Sequence, residues 1–309
     1  MSEPRSPLVM PQAAQPSRPL KTARLRMALQ RRGRLARSSL ELLQSIGLDF
    51  DYSDGRLFSP CSNFPLELLF VRDDDIPEYV HNQVADLGIV GRNVVEEKGG
   101  EVECLESLGF GNCRLEIAVR EGGSIETLDD LQGKRIATSH PSILTRYLAS
   151  RELAAAVVQI SGSVEIAPIL NVADGICDLV STGSTLRMNG LRPIGTVLES
   201  EAVLIGSPPQ LEQEAKGQLI DRLRSRLGSC LRARGMRYLM MNARRSDWED
   251  LRSVLPHLSS PTVMPLAKPG WIAIHSAVAE EAVWDLIEDL TKCGARDILS
   301  VPIQIMVSQ

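Results

Sequence analysis

Aromatic side chains make up only 4% of the sequence, so its cores must be aliphatic. Positive charge is not in excess either. The formal net charge is −5, which argues against a broad nucleic-acid surface but leaves room for a local basic pocket. No apolar run approaches the ~18–20 residues that cross a bilayer. The N-terminus lacks the apolar core of a secretory signal. A cytoplasmic protein without membrane contact is expected. The six cysteines, Cys61, Cys104, Cys113, Cys177, Cys230 and Cys293, form no CxxC pair and adjoin no histidine cluster. They are expected to be ordinary buried thiols rather than a disulfide framework or a zinc site. His81, His257 and His275 show no metal-ligand spacing, so no metal is assigned to them.

What is present is ample for folding. The chain has 309 residues, 43% of them apolar, enough for two or three domains with aliphatic cores. Residues 1–21 are rich in Pro, Ser and Gln and read as a disordered tail. No convincing DNA-binding helix pair precedes Leu25. Order begins with a short apolar strand at Leu25–Leu29, followed by the turn Gln30-Arg-Arg-Gly-Arg34. The next helix carries Leu35, Leu40, Leu42, Leu43 and Ile46 on one side and stops at Gly47. Further strands are expected at Glu67–Val71, Leu87–Val90, Leu115–Val119, Arg135–Thr138, Val157–Ile160 and Leu179–Val180. Helical stretches separate most of them. The alternation predicts an α/β fold with mainly parallel sheets.

A weak internal repeat links Val84-Ala-Asp-Leu-Gly-Ile-Val-Gly91 with Ile176-Cys-Asp-Leu-Val-Ser-Thr-Gly183. Acids stand thirteen residues before each Asp: Asp73 before Asp86, and Glu165 before Asp178. Two related lobes around a ligand cleft would produce this pattern, and so would chance likeness of two α/β units. A third unit is expected from Gly217. It opens with a helical stripe of Leu219, Ile220, Leu223, Leu227 and Leu231. Strands at Arg237–Asn242, Thr262–Leu266, Trp271–His275 and Ile298–Ile303 follow, with helices at Asp247–Leu255 and Val278–Lys292. This order, β-α-β-β-α-β, is the ferredoxin-like pattern.

The segment richest in chemistry is Asp178-Leu-Val-Ser-Thr-Gly-Ser-Thr-Leu186. Ser181, Thr182, Gly183, Ser184 and Thr185 lie between a strand and a helix expected near Leu186. Small hydroxyl residues and a glycine let backbone N–H groups approach a phosphate closely. Asp178 and Glu165 are placed to accept hydrogen bonds from sugar hydroxyls. On the residues alone, a plain strand–turn–helix with Ser/Thr caps accounts for the segment as well. The Asp73–Asp75 run fits a cleft, and equally an acidic helix start. His140, beside Thr138 and Ser139 at a strand end, is open between a cleft and a capping position.

Asp178–Leu186 resembles the phosphoribosyl pyrophosphate (PRPP) loop of ATP phosphoribosyltransferases. Met27–Leu35, Val71–Pro77, Ala85–Gly91, Gly111–Leu115, Gly133–Pro141, Gly162–Pro168 and Ser260–Ala267 are similar to the same family, in the same order. The resemblance runs from about Leu25 to Ile305. It implies two lobes like those of periplasmic binding proteins, with a cleft and a C-terminal ferredoxin-like (ACT-like) domain that binds histidine. Residues 22–114 and 199–216 would form the first lobe, 115–198 the second, and 217–309 the regulatory domain. The implied reaction joins ATP to PRPP, with Mg²⁺ on the leaving pyrophosphate, in the first step of histidine biosynthesis.

Carried onto this chain, Asp178 and Glu165 would hold the ribose and Ser181–Thr185 the 5′-phosphate. Gln30, Arg34, Arg72 and Asp86 would serve ATP and pyrophosphate, Arg34 through its planar fork. The family often shows Lys after the Gln where this chain has Arg31, which leaves the role of that position open. Asn242, Pro265, Leu266 and Ala267 are candidates for the histidine site, and also read as ordinary strand-end residues. The family forms dimers and hexamers, so a homo-oligomer inhibited by L-histidine is expected. Three other readings stand beside this one: a binding protein without chemistry, an inactive regulatory partner, and a transcriptional regulator.

Overall fold

The computed structural model describes residues 23–53, 55–256 and 261–307. The tail expected at 1–21, His257, and Ser260 of the last matching segment lie outside the described residues.

The first lobe begins with β1 (Leu25–Gln30), α1 (Ala36–Ser45), β2 (Phe58–Pro60), β3 (Leu66–Val71), α2 (Ile76–His81), β4 (Leu87–Gly91), α3 (Arg92–Lys98) and β5 (Glu103–Ser107). The chain crosses to a second lobe of β6 (Cys113–Arg120), β7 (Arg135–Thr138), α4 (Pro141–Ser150), β8 (Ala156–Gln159), β9 (Gly175–Val180), α5 (Ser184–Met188) and β10 (Leu191–Ser200). It returns through β11 (Ala202–Gly206), α6 (Pro208–Leu211) and the long α7 (Glu214–Ala233). The third unit is β12 (Met236–Arg244), α8 (Trp248–Val254), β13 (Thr262–Pro265), β14 (Trp271–Ala279), α9 (Val283–Lys292) and β15 (Arg296–Pro302).

The sheets are β2-β3-β1-β4-β11-β5, β10-β6-β9-β7-β8 and β13-β14-β12-β15. The first two share a plan. Three parallel strands, β3-β1-β4 in one and β8-β7-β9 in the other, are flanked by a strand from the far side of the crossover, β11 or β6, running antiparallel. The two-lobed repeat is therefore real in topology. The sheets are mixed rather than mainly parallel, because the crossing strands β11 and β6 enter from the opposite lobe. β2, β5, β10 and β11 were not among the expected strands. The repeat in sequence is out of register with the repeat in space. Asp86 precedes β4, whereas Asp178 is the fourth residue of β9, near its end rather than its start.

Aliphatic side chains fill both faces of each lobe sheet, as the shortage of aromatics requires. Leu25, Met27 and Leu29 pack against α1 and α7, while Ala28 and Val90 face α2. Each fully buried Leu contributes about 1.5–3 kcal/mol. The stripe Ile220, Leu223 and Leu227 of α7 is buried in this first-lobe core. The third unit consequently starts at β12, not at Gly217. Its own core joins β12, β14, α8 and α9 around Leu239, Met241, Leu251, Ile274 and Leu290. All its strand pairs are antiparallel, in the ferredoxin-like order expected. The helix expected from Val278 begins only at Val283. β14 continues through Ala279 because Ser276 and Val278 extend its alternation of buried positions, and Ala279 pairs with Met236.

Candidate functional site

The cleft lies where carboxyl ends of parallel strands from both lobes meet, as is general for open α/β sheets. A cavity of about 620 Å³ is lined by Asp73 and Asp74 after β3, Asn93 after β4, Ser139 and His140 after β7, Gln159 at the end of β8 and Ser161 beyond it. A second, of about 250 Å³, is enclosed by Glu165, Asp178 and the whole loop Ser181–Thr185. A third, of about 740 Å³, runs from Ser181 along Arg92, Glu96, Arg114 and Glu201.

The loop's shape follows from its residues. β9 ends at Val180, and Gly183 at φ +74 turns the chain into α5, a conformation that costs glycine little. Thr182 Oγ1 and Ser184 Oγ are 3.1 Å apart, and Ser181, Thr182, Ser184 and Thr185 are exposed. Asp178 is half-buried, and its Oδ1 accepts the Leu179 N–H at 2.8 Å. Burial pushes its carboxyl above the usual range. The Glu165 charge adds to this, while the Leu179 N–H and His140 oppose it. Glu165 sits on the turn Val164–Ile166, reached after Ser163 at φ +48. Two carboxyl groups thus share one small cavity with a ring of hydroxyl groups.

On the first lobe, Gln30 ends β1 and is buried at 8% exposure. Its Oε1 accepts the Leu35 N–H at 2.9 Å, which starts α1. Arg34 Nη1 donates to Gly111 O in the crossover between lobes. Arg72 is exposed at the end of β3. Asp86 is not at this cleft. It lies before β4, some five residues or about 17 Å of strand from Gly91. There it is 3% exposed and accepts from the Arg26 N–H and from Lys216 Nζ, both at 2.7 Å. The Asp86 assignment is accordingly corrected: its partners are structural.

Residue patterns match this geometry to known proteins. Residues 72–229 match the family described as ATP phosphoribosyltransferase, and residues 233–305 match HisG, C-terminal domain. The ATP phosphoribosyltransferase of Cytophaga hutchinsonii is 44% identical over 92% of this chain and 98% of that protein. That of Maricaulis maris is 41% identical over 93% of this chain and 100% of that one. The chain belongs to the ATP phosphoribosyltransferase family. It is a phosphoribosyltransferase of histidine biosynthesis, of the long form that carries its own C-terminal domain. A chain from the ATP phosphoribosyl transferase (HisG:HisZ) complex of Thermotoga maritima superposes with a TM-score of 0.58. It is 25% identical and covers 67% of this chain and 98% of that one.

Several residues beside the candidate site were not singled out from sequence. Arg187 in α5 donates from Nη2 to Thr182 O at 3.4 Å, which brings a guanidinium to the loop. Glu116, 5% exposed, lies opposite Asp178 in the β6–β9 register and pairs with Arg114 Nε at 3.0 Å. Its signal was a charged residue inside the apolar run of β6. In the third unit, Asn242 Nδ2 donates to Asp297 Oδ2 at 3.1 Å. Pro265 and Ala267 are exposed at the end of edge strand β13, and the half-buried Leu266 donates its N–H to Trp271 O. Asn242 and Met264 both register with Ala273, so the candidates occupy one end of the sheet, two strands apart.

Proposed function

We propose that this enzyme transfers the phosphoribosyl group of PRPP to N1 of ATP, forming phosphoribosyl-ATP and pyrophosphate. This is the first step of L-histidine biosynthesis. The observation that carries the reading is the cavity in which Glu165 and Asp178 share about 250 Å³ with Ser181–Thr185. Ser181–Thr185 hold the 5′-phosphate through their hydroxyl and N–H groups. Asp178 and Glu165 accept hydrogen bonds from the ribose hydroxyls. The adenine N1 lone pair forms the bond to the anomeric carbon as the bond to pyrophosphate oxygen breaks, and pyrophosphate leaves with the electron pair. No protein base is needed for the attack. Positive charge growing on the ribose favours ionised Asp178, whose charge burial otherwise disfavours. Gln30, Arg34 and Arg72 present the first lobe to ATP and pyrophosphate. Aligning the two substrates is the main task, for which orientation supplies about 7–11 kcal/mol.

Mg²⁺ on the pyrophosphate would offset the leaving group's charge. The ion would be held mainly by substrate oxygens. L-Histidine binds the C-terminal domain near Asn242 and Pro265–Ala267 and inhibits from there, within a cytoplasmic homo-oligomer. Among the described residues, no helix is long and apolar enough to cross a membrane.

The test mixes purified protein with ATP, PRPP and Mg²⁺ and follows pyrophosphate and phosphoribosyl-ATP, with and without L-histidine. Product formation suppressed by histidine is the expected result. Folded protein that binds both substrates and forms no product would overturn the reading.

A further inference from the structure

At one side of the cleft the lobes are joined by a chain of buried hydrogen bonds that the transfer chemistry does not use. Asn93, on α3 of the first lobe, is 3% exposed; Ser200, where β10 returns toward the first lobe, is 5% exposed; and His140, at the start of α4 in the second lobe, is 9% exposed. The Asn93 N–H donates to Ser200 Oγ at 3.0 Å, and Ser200 Oγ donates back to Asn93 Oδ1 at 2.9 Å. Asn93 Nδ2 stands 3.0 Å from His140 Nε2, and His140 Nδ1 stands 3.0 Å from Ser139 Oγ.

With the Asn93 carboxamide oxygen turned toward Ser200, these bonds run in one direction. Ser200 has one proton, and it goes to the Asn93 carbonyl oxygen. That turns the Asn93 amide hydrogens toward His140, so Nε2 must accept. The imidazole is then neutral, with its proton on Nδ1 and donated to Ser139 Oγ. A protonated His140 would set an N–H against an N–H. Burial pulls the imidazole below its ordinary 6.5, against the pull of Glu97, Asp178 and Asp74. Asp73 and Lys98 line the same cavity. Beside this chain, the Glu97 carboxylate of α3 accepts the N–H groups of Ser142 and Ile143, at 2.9 and 3.0 Å, and so caps α4 from the other lobe.

We infer that Asn93 and His140 are positioning residues for phosphoribosyl transfer: the chain Ser200–Asn93–His140–Ser139 fixes the angle between the lobes and so the alignment of the two bound substrates. The role in transfer rests on the proposed reaction; the latch itself does not. The PRPP cavity lies wholly in the second lobe, so loosening the latch leaves PRPP binding intact and slows the joint step. The latch opens as pH falls through the lowered value of His140, below 6.5.

The test uses the full chain and the variants Asn93→Ala, His140→Ala and His140→Gln. Gln offers an oxygen acceptor near the position of Nε2 and does not titrate. Hydrogen exchange without substrates is read at the amides of Asn93, Ser142 and Ile143. Relative to the intrinsic rate of a free amide at each pH, exchange should quicken in both Ala variants at neutral pH, quicken in the wild type as pH falls, and stay slow and flat with pH in His140→Gln. Both Ala variants should lower kcat about 10–100-fold while the Kd for PRPP alone moves less than about twofold. His140→Gln should restore kcat and remove the acid limb of its pH profile. Unchanged exchange in the Ala variants would overturn the latch. Exchange that quickens while kcat holds, or kcat and PRPP affinity falling in step, would overturn the positioning role. Wild-type protein that makes no pyrophosphate would sink the transferase reading alone, and the exchange arm would still decide the latch.

Discussion

Lys216 holds its ammonium 2.7 Å from Asp86 Oδ1 across 130 residues of chain, and the same ammonium donates to Gln210 Oε1 at 2.8 Å. The pair pins the start of α7 to the end of the first-lobe sheet opposite the cleft. Among the described residues, Lys216→Met leaves the buried carboxylate with only the Arg26 N–H. Because the lysine is 24% exposed, the cost is expected at about 2–3 kcal/mol, below that of a fully buried pair. That corresponds to a fall in Tm of roughly 5–10 °C. The double variant Asp86→Asn/Lys216→Met should recover part of this loss. At 20 °C the KM for ATP should be unchanged in all of them. A raised KM for ATP in Asp86→Asn would return Asp86 to the site.

Asp178 is expected to trade stability for binding. Its folded pKa is raised, so the folded state disfavours the ionised form relative to the unfolded chain. The sign follows from linkage: this penalty is fully present above the folded pKa and fades as pH falls through it. Asp178→Asn should therefore raise the Tm of the substrate-free protein at pH 7. The gain should shrink toward pH 4. Asp178→Ala should raise the KM for PRPP at least about 10-fold and far more than that for ATP. Equal changes in both KM values, or a Tm that falls at pH 7, would count against the assigned role.

Where the chain is cut decides whether the C-terminal domain can be removed. A break after Leu219 strips Ile220, Leu223 and Leu227, all at 0–1% exposure, from the first-lobe core. Each such loss costs about 2–5 kcal/mol, so that fragment should be insoluble or unfolded. A break after Arg234 keeps α7 whole. It also keeps the bond from Arg234 Nη1 to Leu108 O at 2.6 Å, which steadies the crossover between lobes. This fragment should fold, retain transferase activity and escape inhibition by histidine. A folded, active fragment that histidine still inhibits would show that the sensor lies elsewhere.

The α7 boundary shows what sequence periodicity can and cannot supply. The apolar stripe Leu219–Leu231 was visible, and so was its helix. Which core the stripe enters was not, because a stripe records burial and not its partner. Ferredoxin-like order was legible because turn residues and alternation mark each strand of β12–β15. β10 was missed: Leu191–Ser200 is only partly buried and broken by Pro193 and Gly195, where its pairing shifts register. The Ser181–Thr185 segment was readable as a candidate because its chemistry is local, five small residues where a strand ends and a helix starts. The Asn93–His140 contact spans 47 residues and two lobes, and no spacing rule reports it. Asp86 misled for the same reason. Its short match to the Asp178 segment was real in letters, yet the two strands enter their sheets in different registers.

Gly33 supports Gln30 through the backbone. It holds φ +125, and a Cβ there would stand 2.5 Å from Gln30 Nε2. Gly33→Ala must adopt a conformation that side chains rarely take and must also push the Gln30 carboxamide aside. Gln30 Oε1 would then lose the Leu35 N–H that it accepts at 2.9 Å to start α1. The expected loss is about 1–3 kcal/mol in stability. Gln30→Ala removes the same bond without the backbone strain, so it should cost less stability. If Gln30 faces ATP as proposed, both variants should raise the KM for ATP by a similar factor and leave that for PRPP near its wild-type value. Separate KM measurements for each substrate, with Tm from thermal scans, divide the two effects. A Gln30→Ala enzyme with both KM values unchanged would make Gln30 a helix cap and nothing more, and the first lobe's hold on ATP would then have to come from Arg34 and Arg72.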